Sequence, residues 1–174
     1  MKTISSAARV AGKRPFRVSI EGNIGSGKST CIKFFDKFQN VEKHPEPIKE
    51  WRDVSGHNLL GKVYSDLHKW TFPFQHYVHL TRLKIQTSPP ANPEITVKMF
   101  ESYKEYNEIF SISVYLKTSP QVVWDRMMTR GRAEESEVPL EYLQQVHDSY
   151  ENWLSSSDVG CEVLTIDADR NIDA

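Results

Sequence analysis

The stretch Phe16–Thr30, FRVSIEGNIGSGKST, decides how this chain folds. From Gly22 to Ser29 it satisfies G-x-x-x-x-G-K-[ST] at every fixed position. The residues Phe16–Ile20 before it alternate in a period of two, which predicts a β-strand, and the residues after it are typical of a helix. A glycine-rich turn between a strand and a helix lets backbone N–H groups approach phosphates closely. The stretch therefore predicts a loop that binds a nucleoside triphosphate.

Two side chains of this loop have predicted roles toward the triphosphate. Lys28 adds a positive charge at the β- and γ-phosphates, and Ser29 offers a hydroxyl to Mg²⁺. We therefore expect ATP and Mg²⁺ as cofactors. The loop alone leaves a motor, a switch, a transporter subunit and a small-molecule kinase open. The predicted nucleotide-binding residues are Gly22, Asn23, Ile24, Gly25, Ser26, Gly27, Lys28, Ser29 and Thr30.

Composition restricts the partners and the compartment. Among 174 residues, 22 Lys+Arg against 23 Asp+Glu give a net charge of -1, so the broad basic field of a nucleic-acid or membrane binder is missing. No apolar run approaches the roughly 20 residues that span a bilayer. Cys31 and Cys161 form no disulfide framework. We expect no nucleic-acid or membrane partner, and a cytoplasmic or mitochondrial protein that is not secreted.

Strand and helix patterns alternate along the chain, which predicts an α/β fold with a mostly parallel sheet flanked by helices. Residues 1–15 fit a disordered tail or a weak organelle presequence, and residues 16–174 fit a single P-loop kinase domain. Pro73 interrupts a helical pattern, so two helices joined at this proline are expected. The predicted helices are Ser29–Phe38, Asn58–Trp70, a second one restarting at Phe74, Pro120–Met128 and one opened by Pro139; the predicted strands are Phe16–Ile20, Ile95–Phe100, Ile112–Thr118 and Cys161–Ile166.

An aromatic cluster downstream of the loop offers walls for a flat molecule. Gln75 presents a donor and an acceptor side by side, which matches a nucleobase edge. Trp51, Phe74 and Val78 would provide apolar walls. Such residues at helical spacing usually form core, and only the predicted triphosphate loop favours the ligand interpretation.

The chain resembles the deoxyribonucleoside kinase family from Phe16 to about Lys98 and again from Tyr103 to the C-terminus. The ordered matches make this resemblance specific. They are the phosphate loop, Glu46-Pro47 with Trp51, Pro73-Phe74-Gln75, Leu116-Lys117-Thr118-Ser119-Pro120, Arg130-Gly131-Arg132 with Glu134-Glu135, Val138-Pro139-Leu140-Glu141-Tyr142-Leu143, and Asp167-Ala168-Asp169.

The resemblance implies transfer of the ATP γ-phosphoryl group to the 5′-hydroxyl of a deoxyribonucleoside, a step of nucleotide salvage and DNA precursor synthesis. It assigns Glu46 as the base toward that hydroxyl, which requires hydrogen-bond reach of the proton. It also assigns Gln75 to the nucleobase edge, with Trp51, Phe74 and Val78 around the base.

The same resemblance assigns the sugar and the lid. Tyr64 and Glu135 match the pair that holds the sugar 3′-hydroxyl. Arg130 and Arg132 match the lid, whose guanidinium groups close over the phosphates and neutralise developing charge. Without the resemblance, this charged stretch would be typical of a solvated turn. A homodimer is also implied.

Arg82 bears on base preference but leaves it open. It lies one helical turn beyond Val78, where thymidine-preferring members of the family carry an apolar residue and the deoxycytidine and deoxyguanosine kinases carry arginine. An exposed helix arginine is the alternative interpretation.

The family pattern breaks after Met99. A Glu-Arg-Ser motif is expected there, with its Glu near Mg²⁺ and its Arg at the 5′-oxygen, yet the chain reads Phe100-Glu101-Ser102-Tyr103 and soon enters the next strand. About forty residues are missing relative to the family, and Glu101-Ser102 is at most a partial remnant of the motif. We expect strain or poor packing near this link. Two alternatives follow: an active deoxynucleoside kinase, or a catalytically impaired nucleotide-binding isoform.

Overall fold

The computed structural model describes residues 14–101, 110–136, 138–156 and 159–170. Five strands form one parallel sheet in the order β2-β3-β1-β4-β5, so the predicted α/β class with a parallel, helix-flanked sheet is confirmed. The strands are β1 (Phe16–Glu21), β2 (Val41–His44), β3 (Val97–Glu101), β4 (Ile112–Lys117) and β5 (Glu162–Asp167). The helices are α1 (Lys28–Phe34), α2 (Ile48–Arg52), α3 (Leu59–Ser65), α4 (Leu67–Thr87), α5 (Pro120–Arg130) and α6 (Leu140–Leu154).

Strand β1 occupies the centre of the sheet and carries the phosphate loop at its carboxyl end. Its apolar residues Val18 and Ile20 are buried against Ile32 of α1 and against Met99 and Leu116 of the neighbouring strands. Because β1 and β3 are parallel neighbours, the carboxyl end of β3 lies beside the start of the loop. This crevice at the carboxyl edge is where α/β sheets bind ligands.

The helix break predicted at Pro73 is wrong. Helix α4 runs through Pro73 without interruption, and the break falls at Asp66 instead. The Asp66 side chain accepts a hydrogen bond from the Lys69 N–H at 3.0 Å, which caps α4. Pro73 is exposed, and it forfeits one backbone hydrogen bond, while the neighbouring Phe74 is buried. The packing of this helix therefore outweighs the local preference of proline.

The first predicted helix is shorter than expected, and one strand was not predicted. Helix α1 ends at Phe34 and passes into a 3-10 turn, Phe35–Lys37, rather than reaching Phe38 as a regular helix. Strand β2 has only four residues, three of them polar, and no alternating apolar pattern. It exists because it pairs with β3 in register, with Val41 opposite Val97.

The strands on both sides of the shortened link are well packed, so the expectation of poor packing is wrong for the described residues. Phe100 and Phe110 are both buried and their rings meet edge to face, 5.5 Å between centroids. Ten residues separate Glu101 from Ile112. The connection from β3 to the parallel strand β4 must run back along a strand of about 20 Å and across two strand spacings of about 5 Å each. Ten fully extended residues span roughly 33 Å, which exceeds this distance. Ten residues are therefore enough to connect the end of β3 with the start of β4. The prediction for residues 1–15 falls almost entirely outside the described part, which begins at Arg14.

Candidate active site

The phosphate loop has a backbone that only glycine tolerates at two of its positions. A Cβ atom on Gly22 would lie 2.9 Å from the Leu116 carbonyl oxygen and 2.5 Å from Ser26 Oγ. Gly27 has a φ of 96°, in the left-handed region. Among the described residues beyond its own chain neighbours, no atom lies within 4 Å of the position its Cβ would take. The loop is thus packed against the sheet at its start and open at the beginning of α1, where an anion would approach.

Lys28 lies folded over this loop. Its ammonium group donates hydrogen bonds to the carbonyl oxygens of Gly22 at 2.8 Å and Asn23 at 2.9 Å. These bonds hold a positive charge at the centre of the loop. An ammonium group has three donors, so one is left for a phosphate oxygen.

Asn23 anchors the loop rather than facing the cleft with its side chain. Its amide group donates to the Leu143 carbonyl oxygen of α6 at 2.8 Å, and its side-chain oxygen accepts from the Ile24 N–H at 2.8 Å. The side chain is buried. Among the predicted nucleotide-binding residues, Asn23 is thus placed to fix the loop on α6.

The carboxylate of Glu101 connects the phosphate loop to Glu46. Ser29 Oγ donates to Glu101 Oε1 at 2.7 Å, and the Glu46 N–H donates to Glu101 Oε2 at 3.2 Å. Glu101 ends β3 and is 4% exposed. The predicted base and the predicted metal ligand therefore both contact one buried carboxylate.

Glu101 is a candidate functional residue that the sequence pattern alone does not identify. In the sequence it is at most a partial remnant of the Glu-Arg-Ser motif, because no arginine follows it and the spacing is disturbed. The signal that identifies it is positional: it is the last residue of a strand adjacent to β1 in a parallel sheet, so it must lie at the same edge as the loop.

The aromatic cluster is both core and cleft wall. Trp51, Phe74 and Val78 are buried together with Leu60 and Val63, and the Trp51 and Phe74 rings meet edge to face, 5.7 Å apart. Trp51, Phe74 and Val78 also line the open cleft. The core interpretation and the ligand interpretation of these residues are therefore compatible.

Gln75 is exposed in the same cleft as Phe74. It lies on α4, a helix whose buried residues Phe74 and Val78 fix its orientation. Its amide is therefore available to a ligand in the cleft.

The predicted lid arginines converge on Glu135. Arg130 Nη2 donates to Glu135 Oε2 at 2.5 Å, and Arg132 Nη1 donates to Glu135 Oε1 at 3.1 Å. Glu135 is buried, so the interpretation of this stretch as a fully solvated turn is wrong. Burial, with the nearby charges of Glu135 and Glu46, raises the pKa of Tyr64. The residues predicted to bind the sugar and to form the lid therefore lie in one cluster.

Arg82 is not an exposed helix arginine. Its side chain is 12% exposed, and its Nη2 donates to Glu46 Oε1 at 3.0 Å. It thus contacts the carboxylate that the resemblance assigns as base.

An ion pair on the cleft rim links α2 to the 3-10 turn Ala133–Glu135. Arg52 donates two hydrogen bonds to the Glu134 carboxylate, at 2.7 and 2.9 Å. The bond with Arg52 is the main cause that lowers the pKa of Glu134 to about 2. This pair holds the residue next to Glu135 against helix α2.

Most of these groups, with the exception of Asn23 and Glu134, border one cleft of about 2260 Å³. A single small ligand usually occupies 300–1,000 Å³, so the cleft has room for two ligands side by side. The predicted site residues that line it are Gly22, Ile24, Gly25, Ser26, Gly27, Lys28, Ser29, Thr30, Glu46, Trp51, Tyr64, Phe74, Gln75, Val78, Arg130, Arg132 and Glu135.

A parallel sheet in the order 2-3-1-4-5, a phosphate loop after its central strand and carboxylates at the same edge define a P-loop phosphotransferase of the nucleoside kinase type. Sequence comparison makes this more specific. A model of the family described as deoxynucleoside kinase matches residues 18–104 and 91–174. The chain belongs to the deoxynucleoside kinase family.

Individual relatives carry several names. Thymidine kinase 2, mitochondrial, of Macaca fascicularis is 34% identical over 190 residues, covering 90% of this chain and 72% of the relative. Deoxycytidine kinase of Bos taurus is 29% identical over 206 residues, covering 86% of this chain and 79% of the relative. Deoxyguanosine kinase, mitochondrial, of Xenopus laevis is 28% identical over 193 residues, covering 80% of this chain and 73% of the relative.

The comparisons also locate the interruption. Since 90% of 174 residues is about 157 residues, about 33 of the 190 positions aligned with the Macaca protein have no counterpart here. The family model matches in two pieces that overlap at residues 91–104, where the motif breaks.

Within the described ranges, no helix combines the length and apolar character needed to cross a membrane.

Proposed function

We propose that this chain transfers the γ-phosphoryl group of ATP to the 5′-hydroxyl of a deoxyribonucleoside. ATP-dependent phosphorylation of deoxynucleosides in salvage is the activity of the family to which it belongs. One observation carries the proposal. The contacts from Ser29 through Glu101 to Glu46 bring the phosphate loop and the proposed base together in one cleft.

Glu46 is the proposed general base. It follows β2 at the carboxyl edge of the sheet and lines the cleft between the phosphate loop and the aromatic wall. A nucleoside seated on that wall would direct its primary hydroxyl toward the phosphate loop. Glu46 would hydrogen-bond this hydroxyl and take its proton as the oxygen attacks the γ-phosphorus, which releases ADP.

The base and sugar are proposed to bind across α3 and α4. Gln75 would pair with the nucleobase edge between the walls formed by Trp51, Phe74 and Val78. Aromatic and aliphatic walls favour a flat heterocycle and exclude water from its faces.

The 3′-hydroxyl of the sugar is proposed to bind Tyr64 and Glu135. The raised pKa of Tyr64 keeps its phenol protonated, so it is a hydrogen-bond donor at neutral pH. The two lid arginines already contact Glu135, so sugar binding and lid position are linked. Arg130 and Arg132 would stabilise the charge that develops on the transferred group.

The site fits Mg²⁺ bound together with ATP. Ser29 Oγ and the Glu101 carboxylate present oxygen ligands within 2.7 Å of each other beside the loop. Among the described residues, no group of three or more histidine, cysteine or acidic side chains is arranged to hold a metal ion. Phosphate oxygens and water would therefore complete the coordination. When bound, Mg²⁺ neutralises charge on the β- and γ-phosphates.

A second candidate is a nucleotide-binding member of the family with impaired catalysis. The observation that favours it is the interruption after Glu101, which removes the arginine expected at the 5′-oxygen. Loss of one such transition-state contact costs on the order of 10²–10³ in rate. The phosphate loop is untouched by the interruption, so ATP binding would remain.

One experiment separates the two candidates. Transfer of labelled γ-phosphate to thymidine, deoxycytidine, deoxyadenosine and deoxyguanosine is measured beside calorimetric titration with ATP and Mg²⁺. Binding with turnover supports the kinase, and binding without turnover supports the impaired form. Glu46→Gln should lower turnover about 10²–10⁴-fold, and the exposed Glu141→Gln serves as its control. Unchanged turnover in Glu46→Gln would remove Glu46 as the base.

We further propose a homodimer in the cytoplasm or the mitochondrion. Helix α4 exposes Phe72 at 74% and Leu80 at 65%, an apolar face that a second copy would cover. Mitochondrial relatives and the absence of a disulfide framework support a reducing compartment. Analytical ultracentrifugation of the chain and of Phe72→Ser would test the dimer.

A further inference from the structure

Glu46 is held at two points, its side-chain carboxylate and its backbone N–H. Arg82 Nη2 donates to its Oε1 at 3.0 Å, and the side chains of Arg82 and Glu46 are 12% and 23% exposed. The backbone N–H of Glu46 is bound separately, by Glu101. A charge pair with this little exposure is only weakly screened by salt.

The fold fixes the place of Arg82. On the preceding turns of α4, Val78 and Thr81 are buried, and Trp51 Nε1 donates to Thr81 Oγ1 at 3.0 Å. The Arg82 guanidinium carbon lies 5.7 Å from the centroid of the Trp51 ring. Because planar guanidinium groups stack on aromatic faces, Trp51 orients Arg82 toward Glu46.

The contact leaves one carboxylate oxygen of Glu46 for another partner. Arg82 donates its hydrogen bond to Oε1, so Oε2 is the oxygen that would face the hydroxyl of the substrate. A general base must present an oxygen within hydrogen-bond reach of the proton it takes. Rotation of the carboxylate is restricted as long as Arg82 holds Oε1.

We propose, on the basis of the proposed function, that Arg82 is the positioning residue for Glu46 in this chain. It supplies from α4 a positive charge beside the base, where the interrupted chain has lost the arginine expected after Glu101. Arg82 acts on the reaction through Glu46 and not through the nucleobase.

Steady-state kinetics on the full chain test this proposal. We expect Arg82→Met to lower kcat about 10–100-fold, with the KM for the deoxynucleoside changed by less than about 3-fold. Arg82→Lys should recover part of kcat, because an ammonium group keeps the charge but not the planar fork. In a Glu46→Gln background, Arg82→Met should change kcat by less than about 2-fold, since no base is left to position. Lys84→Met removes the same charge from an exposed position of α4 and should behave as the wild type.

A binding measurement keeps the test decisive if turnover is very low. Calorimetry compares the deoxynucleoside that binds most tightly with its 5′-deoxy analogue, which lacks the hydroxyl that Glu46 would contact. The wild type should prefer the hydroxyl-bearing compound about 5–10-fold, and both Arg82→Met and Glu46→Gln should abolish this preference.

These measurements distinguish failure of the positioning role of Arg82 from failure of the proposed function. If the preference survives in Arg82→Met but is lost in Glu46→Gln, or if the kcat losses of the two variants multiply, the positioning role is wrong and the proposed function stands. A main effect of Arg82→Met on KM would also overturn it, because Arg82 would then bind substrate directly. If the wild type shows neither turnover nor preference for the hydroxyl, the proposed function itself fails.

Discussion

His44, the last residue of β2, should make the stability of this protein depend on pH. Its ring is half-buried and stacks on Phe100, with 4.8 Å between centroids and 18° between planes. Burial is the main cause that lowers the pKa of His44 to about 4, and the nearby charge of Lys98 lowers it further, against the opposing effect of Glu42. Replacing His44 by Phe keeps an aromatic ring against Phe100 and removes the titrating group.

The magnitude follows from the two pKa values of His44. The unfolded chain binds a proton with a pKa near 6.5, and the folded chain does so only near pH 4. Between these values the unfolded state binds more protons, so the free energy of unfolding falls as the pH is lowered from 6.5 to 4. One pKa unit corresponds to about 1.4 kcal/mol, so the full loss from His44 is about 3 kcal/mol.

Urea unfolding followed by circular dichroism, repeated between pH 7.5 and pH 4, measures this dependence. We expect His44→Phe to flatten the pH dependence by about 3 kcal/mol over that range. His68→Phe, at an exposed position in the first turn of α4, should leave it unchanged. The same decline with pH in wild type and His44→Phe would refute the reasoning, whatever the absolute stabilities.

Two further substitutions test the packing around the cleft. Asn23→Ala removes the side-chain partner of the half-buried Ile24 N–H and of the Leu143 carbonyl. The free energy of unfolding in urea should fall by about 1–3 kcal/mol, and calorimetry should show weaker ATP binding. A stability within about 0.5 kcal/mol of wild type would contradict the anchoring role. Arg52→Met should lower stability at pH 7 by about 1 kcal/mol or less, because the pair with Glu134 is partly exposed. The pKa of Glu134 is lowered to about 2, so this stabilisation is present above the unfolded pKa near 4.5 and lost as the pH falls toward 2. Urea unfolding should therefore show that the stability difference between wild type and Arg52→Met shrinks below pH 4.5 and vanishes near pH 2. A constant difference would contradict the assignment.

The phosphate loop could be predicted from the sequence because its chemistry is local. The spacing from Gly22 to Ser29 and the strand and helix around it lie within fifteen consecutive residues. The buried strands β3 and β4 were predicted within one or two residues for the same reason. Their apolar runs need no distant information.

Features that depend on contacts between residues far apart in the sequence could not be predicted from the sequence. Strand β2 is short and polar, and pairs with residues more than fifty positions away. Pro73 breaks helices in isolation, but here it lies on the exposed side of a helix held by buried residues. The roles of Glu101 and Arg82 depend on contacts with Ser29 and Glu46, 72 and 36 positions away.

The site as a whole required the family resemblance. From residue types alone, binding a nucleobase is only one of two interpretations of the cluster around Gln75. Residue types alone predict no role for Glu135. The structure brings the corresponding segments to one cleft, which leaves the individual roles to experiment.

The central claim is that a phosphate donor and a nucleoside lie side by side in one cleft. A bisubstrate compound, in which a deoxynucleoside is joined through its 5′-oxygen by a polyphosphate chain to adenosine, tests this even if catalysis is slow. We expect calorimetry to show that it binds about 10²–10⁴-fold more tightly than ATP, and that either ATP or the deoxynucleoside displaces it. Affinity equal to that of ATP, with no displacement by any deoxynucleoside, would contradict the claim.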